Sequence, residues 1–177
     1  MYFALHDVDF LPIASTVQLY RRYPASAPCH LLGKSYSLGG VVTVSVQQWA
    51  ALGGYPCQFW GWGYEDHELQ FRAESQGMWV DRRHWPPDSH DFFGGFDEVP
   101  HTPVPDAAKS RQQYQNKVRF LAARLAQHWD GKVAGQVDGL LSCSFSVHNL
   151  SVCGEKCTMA TVSPDAPPSL LLYGNRT

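Results

Sequence analysis

Phe59-Trp60-Gly61-Trp62-Gly63-Tyr64-Glu65-Asp66-His67-Glu68 sets two tryptophans among glycines directly ahead of a run of acidic residues. Glycine at every second position weakens a strand or a helix and frees the backbone to move. Trp60 and Trp62 offer flat apolar faces beside carboxylates that accept hydrogen bonds. Such a loop suits a sugar: the C–H face of a pyranose lies on an indole, its hydroxyls satisfy the carboxylates, and closure of the loop excludes water. Upstream, residues 2–12 read as a buried strand running into an Asp7-Val8-Asp9 turn. Alternate residues at a strand end diverge, so one carboxylate is placed to bind a divalent cation while the other holds a ribose or orients the adjoining loop. Sugar-nucleotide chemistry needs this, because a nucleoside diphosphate leaves poorly until a metal neutralises its charge. Two solvated acids in a turn are the plainer reading of the same residues.

Together the two motifs resemble the β-1,4-galactosyltransferase family. His6-Asp7-Val8-Asp9-Phe10-Leu11-Pro12 is similar to its metal motif, Gly39-Gly40-Val41 to its glycine pair, and Gly53-Gly54-Tyr55-Pro56 with residues 59–68 to its acceptor loop. Gly139-Leu140-Leu141 and Leu150-Ser151-Val152-Cys153-Gly154 resemble the C-terminal strands of the branch that galactosylates xylose on proteoglycan core proteins. The similarity is strongest over residues 3–83.

The resemblance implies an inverting, manganese-dependent transferase that moves galactose from UDP-galactose to O4 of an acceptor sugar, with xylose the acceptor of that branch. Asp66 is then the general base, since displacement at a sugar C1 needs the attacking hydroxyl deprotonated; its plainer role is to stabilise a helix start. Glu65 becomes a ligand of acceptor hydroxyls and Glu68 a charge on the helix surface. His67 stands where the family usually has a third acid, which changes charge and hydrogen-bond polarity at the acceptor site. Trp62 matches the tryptophan that swings over the donor, with Gly63 beside it, and Trp60 serves packing or acceptor stacking. Asp7, Gly39 and Gly40 line the donor side. Asp9 is the first metal ligand and His101 its distant partner; the family often has His-x-His there, Val99 takes the first place, and Glu98 is the substitute that would make an oxygen-rich manganese site. Ser37 stands where a tyrosine is common, which opens the alternative of N-acetylgalactosamine transfer by the same site. A catalytically inactive carbohydrate-binding module is the alternative of a different class.

Composition agrees with one ordinary globular domain: 177 residues, 44% hydrophobic, formal net charge −2. With 14 Lys+Arg against 16 Asp+Glu and no basic cluster among aromatics, nucleic-acid binding is not expected. No apolar run approaches the roughly 20 residues of a membrane span, and the first residues lack signal-peptide regions. Family members are Golgi enzymes anchored by an N-terminal helix, so the expectation is a C-terminal piece of a lumenal protein, without the uridine-binding half that precedes the Asp-Val-Asp strand. Five cysteines (Cys29, Cys57, Cys143, Cys153, Cys157) leave one over after any pairing and lack Cys-x-x-Cys spacing, so zinc is not expected. The sequons Asn149-Leu150-Ser151 and Asn175-Arg176-Thr177 favour a glycosylating, oxidising compartment.

The elements that must position these residues follow from local pattern. Strands are expected at 2–5, 41–46 and 78–80, a short helix at 47–52, and a helix at 65–76 whose acidic first turn complements its dipole. The proline-rich stretch 82–106 reads as irregular. Residues 107–128 form the longest helical pattern, with Tyr114, Val118, Leu121 and Leu125 spaced by four, three and four. Residues 137–162 alternate enough for two strands. Strands alternating with helices imply an α/β sheet, and the resemblance makes it a GT-A nucleotide-binding fold over 1–162, apparently without its N-terminal half, followed by a loose tail over 163–177.

Overall fold

The computed structural model describes residues 1–22, 24–100, 105–130, 145–152 and 158–164. A four-stranded antiparallel sheet in the order β1 (Tyr2–His6), β4 (Val41–Ser45), β3 (Cys29–Lys34), β5 (Asp91–Phe92) forms its centre. β4 is the run Val-Val-Thr-Val-Ser, rich in β-branched residues, and every one of its five residues is buried because it lies between two strands with both faces covered. Val42 and Val44 face a core shared with Leu38, Leu52, Leu69, Ala73 and Val80. Val41 belongs to a second core with Cys29, Leu31 and Leu32, against which Phe10, Leu19, Tyr20 and Phe96 pack.

Helix α1 (Val46–Leu52) starts directly from β4. Ser45 Oγ accepts from the Gln48 backbone N–H, Gln48 Oε1 accepts from the Ser45 N–H, and Gly53 closes the helix at φ 72°. Helix α2 (Glu65–Ser75) buries Leu69 and Ala73 on the sheet; burial of Leu69 alone contributes roughly 1.5–3 kcal/mol. Glu68 is not the surface charge expected from its sequence. It is buried and accepts from Arg72 Nε at 3.0 Å and from Arg124 Nη2 at 2.8 and 2.6 Å, so α2 is tied to helix α3 (Asp106–Asp130) by a desolvated carboxylate that needs both cations.

Residues 78–80 add no strand. Val80 enters the core, and only Asp81 bridges Cys29, because the chain turns away after one residue of pairing. Within the expected irregular stretch, β6 (Phe96–Glu98) pairs with β2 (Phe10–Pro12) as a separate two-stranded ladder. β7 (Phe145–Val152) and β8 (Thr158–Pro164) form an antiparallel hairpin that carries the Asn149 sequon on an exposed strand. His101, Cys143, Cys153, Cys157, Gly139-Leu140-Leu141, Asn175 and the tail beyond Pro164 lie outside the described residues. Cys57 is disulfide-bonded and Cys29 is a buried free thiol. Among the described residues no helix is long and apolar enough to cross a membrane.

Candidate active site

A cleft of about 540 Å³ opens where β1, the turn after β3 and the start of α2 converge. Asp7, Ser37, Gly39, Gly40, Tyr55, Trp62, Gly63, Glu65, Asp66 and His67 all line it. Its floor is the Gly39-Gly40 turn. Asp7 donates its backbone N–H to the Gly40 carbonyl at 2.9 Å, and its Oδ2 accepts from the Gly40 N–H at 3.2 Å, so this carboxylate orients the glycine turn. Gly40 has φ 72°, and a Cβ there would run into the Leu32 carbonyl. At Gly39 a Cβ would sit 2.8 Å from Asp66 Oδ2, so the absence of a side chain is what lets α2 dock.

Beneath the floor lies a residue that sequence reasoning missed. His30 is fully buried; Arg82 Nε donates to its Nδ1 at 3.0 Å, which leaves Nε2–H to donate to the Gly39 carbonyl at 2.9 Å. Burial, and then the Arg82 charge, push His30 down to about 3, so it stays neutral. Its pattern in sequence is a lone histidine in a strand, which carries no signal.

The start of α2 supplies the titratable groups. Asp66 Oδ1 accepts from the backbone N and from Nδ1 of His67, each at 2.8 Å, and the Ser37 hydroxyl also hydrogen-bonds Asp66. Burial would raise Asp66, but the His67 and Ser37 hydrogen bonds and the His67 charge outweigh it and hold the carboxyl below its ordinary value. Glu65 shifts the other way: burial first, then Asp66 and Asp7, raise it, and its Oε2 is buried with no hydrogen-bond partner among the described residues. Surrounding cleft walls and the Asp9 charge raise Asp7 as well. One site thus holds an ionised carboxylate beside two that protonate more readily, a separation suited to dividing proton acceptance from hydroxyl binding. Tyr55 donates to the Leu38 carbonyl at 3.2 Å, and burial with the same three carboxylates pushes its phenol up.

Trp60 and Trp62 are each 47% exposed, so neither is a core anchor, and of the two only Trp62 lines the cleft. Gly61 and Gly63 sit at φ 74° and 93°, so the loop glycines serve a fixed left-handed path as well as freedom of movement. That path is held from α3. Asn116 Nδ2, fully buried, donates to the carbonyls of Gly63 (2.7 Å), Trp60 (3.1 Å) and Trp62 (3.4 Å); Gln112 Oε1 accepts from the Trp62 N–H at 3.0 Å, and Arg119 donates to Gln58. The apolar spacing that identifies α3 leaves Tyr114, Val118, Leu121 and Leu125 exposed. Its polar face docks instead, together with Phe120 against Tyr64 and Phe71, because the loop presents bare carbonyls that amide and guanidinium donors satisfy.

On the metal side, Asp9 directly precedes β2, which pairs with β6. Val99 donates its N–H to the Asp9 carbonyl at 2.6 Å, while Glu98 stands opposite Phe10. Among the described residues no three His, Cys, Asp or Glu side chains gather as a metal cluster. Of the expected ligands, Asp9 and Glu98 are among the described residues, and a cation held at Asp9 would also take oxygens of a bound diphosphate.

Residues 22–95 match a family described as the N-terminal domain of galactosyltransferase. Drosophila melanogaster β-1,4-galactosyltransferase 7 is 36% identical over 90 residues, covering 46% of this chain and 27% of that protein. The chain is thus similar to the β-1,4-galactosyltransferases. The human galactosyltransferase 7 is 34% identical over 86 residues (44% and 25%), and the mouse galactosyltransferase 5 is 28% identical over 150 residues (81% and 34%). The chain spans about a quarter of the length of the galactosyltransferase 7 relatives it matches. In fold it is similar to a variant of the Drosophila galactosyltransferase 7 solved with manganese, UDP-Gal and xylobiose: TM-score 0.61, 21% identity, covering 93% of this chain and 68% of the other. The fold is accordingly of the GT-A type, as the sequence leads one to expect.

Proposed function

We propose that the complete protein is an inverting transferase that moves galactose from UDP-galactose to O4 of an acceptor sugar in the Golgi lumen, with xylose the preferred acceptor. The observation that carries this reading is the single cleft in which an ionised Asp66, a buried and unpartnered Glu65 oxygen and the Trp62 loop converge on a glycine floor. Asp66 takes the proton of the acceptor hydroxyl as that oxygen bonds to C1 of the donor from the face opposite the diphosphate; the C1–O bond to UDP breaks, and UDP departs with the electron pair. Glu65 accepts a hydrogen bond from an acceptor hydroxyl, and Trp62 covers the sugar and keeps water from intercepting the donor. Manganese, held by Asp9 with a donor such as His101, supplies neutralisation of the diphosphate charge when bound. Ser37 gives the donor's C2 substituent a small neighbour, which bears on the N-acetylgalactosamine alternative.

The test is transfer by the complete protein from UDP-galactose or UDP-N-acetylgalactosamine to a β-xyloside, with product linkage read by NMR. A β-1,4 galactosyl product that needs manganese and is lost with EDTA is expected, and Asp66→Asn is expected to lower kcat roughly 10²-fold or more while UDP affinity is retained. Wild-type rates in Asp66→Asn would remove proton abstraction from this residue. Unfolding of that variant would leave Asp66 only its helix-start role.

A further inference from the structure

The pairing of Asp66 with His67 is tighter than adjacency on a helix requires. His67 brings both its backbone N and its ring Nδ1 to the same oxygen, Asp66 Oδ1, each at 2.8 Å. A carboxylate only accepts, so Nδ1 carries the hydrogen. Both His67 donors engage Oδ1, so Oδ2 is the oxygen that His67 leaves for a proton.

The imidazole is itself held in place. Tyr64 stacks on it with ring centres 4.8 Å apart and planes at 25°, and Tyr36 meets it at 5.2 Å and 37°. Tyr64 does so from φ 78°, a left-handed conformation that is strained for a bulky residue and that the surrounding structure must enforce. A ring caged between two tyrosines and tied through one nitrogen to the carboxylate is built for position.

We propose that His67 is the positioning residue of the base: through Nδ1–H it fixes the Asp66 carboxylate so that Oδ2 receives the acceptor's proton. This rests on the transferase reading for the identity of the base. The groups facing the pair are Asp7 at the end of β1, Glu65 on the same turn, Tyr55 after α1, Lys34 at the end of β3, and Ser37, whose hydroxyl also serves Asp66. Three of these are acids or a phenol that resist a further negative charge, so the donors from His67 and Ser37 are what keep Asp66 charged.

The test is a carboxyl carbon NMR titration of Asp66 in the complete protein, without donor or acceptor, for wild type, His67→Ala, His67→Asn and His67→Asp. The proton affinity of Asp66 should rise roughly tenfold or more in His67→Ala and further in His67→Asp, whereas His67→Asn, which keeps an N–H donor, should recover most of the wild-type value. The acid limb of the kcat/KM profile should move up in pH in the same order. Identical Asp66 titration in all folded variants would overturn the proposal, and His67→Asn with His67→Asp keeps that comparison open if His67→Ala fails to fold. If Asp66 responds as expected in a protein that transfers no sugar, the pairing is supported and the transferase reading is what falls.

Discussion

The Gly39-Gly40 floor and the loop from Trp60 to Gly63 line one cleft, yet they are held by opposite means. The floor is fixed from inside: its carbonyl takes a hydrogen bond from the fully buried His30, and its backbone exchanges two hydrogen bonds with Asp7 at the end of β1. The loop is fixed from outside, by the side chains of Asn116, Gln112 and Arg119 on one helix. Moving the floor means dismantling the sheet. Releasing the loop means breaking a few side-chain hydrogen bonds, each worth only about 0.5–1.5 kcal/mol net because water replaces them at an exposed loop. The glycine floor of the cleft is therefore built as a template and the Trp62 side as a latch.

Alanine in place of a positive-φ glycine separates the two. Gly40→Ala adds a left-handed strain of roughly 1–3 kcal/mol to a collision with the Leu32 carbonyl, a backbone atom that cannot step aside. Gly63→Ala carries the strain alone, since its nearest neighbour is Gln113 at 3.5 Å. Urea unfolding should show Gly40→Ala losing more than 3 kcal/mol and Gly63→Ala about 1 kcal/mol. Equal losses would mean that the floor is no more rigid than the loop.

His30 makes the floor sensitive to acid. Its folded value is depressed to about 3 from an ordinary 6.5, so below pH 6.5 the unfolded chain takes a proton that the folded chain refuses. Stability is then fully present above that point and falls by roughly 1.4 kcal/mol per pH unit as pH drops through the window. His84, which burial also lowers, acts in the same direction. Urea midpoints at about pH 7 and pH 5 should fall further in the wild type than in His30→Gln by about 2 kcal/mol. Parallel slopes would place the acid sensitivity elsewhere.

What could be read from the sequence divides along the same line. The strand leading into Asp7-Val8-Asp9, the short helix at 47–52 and the acidic start of α2 are local patterns, and the structure has them at Tyr2–His6, Val46–Leu52 and Glu65–Ser75. Asp7 in one motif and Glu65 and Asp66 in another were legible as chemistry-bearing residues, and the structure brings all three to one cleft. His30, Asn116 and the buried Glu68 were not legible. Each has a polar partner 9 to 56 positions away that no periodicity marks, which for Glu68 comes in addition to its i+4 neighbour Arg72. The apolar spacing of α3 was legible as a helix but said nothing of its docking face, which is chosen by carbonyls on another segment.

The smallest expected effect is on the latch itself. Asn116→Ala removes one amide that donates to three carbonyls, and a simple count would suggest a loss of several kcal/mol. Asn116 is fully buried, but the loop residues whose carbonyls it binds are partly exposed, so a water entering the space that the amide leaves should bond them and the net cost should be about 1 kcal/mol. The consequence should appear in motion and binding rather than in folding. Indole fluorescence of the loop tryptophans should become several-fold more accessible to iodide, acceptor KM should rise about fivefold, and the unfolding midpoint should barely move. Asn116→Gln, one methylene longer, should not restore the geometry, because the buried site has no room for it. An Asn116→Ala protein with unchanged quenching and KM would show that α3 does not restrain the loop, and the contrast between template and latch would fail.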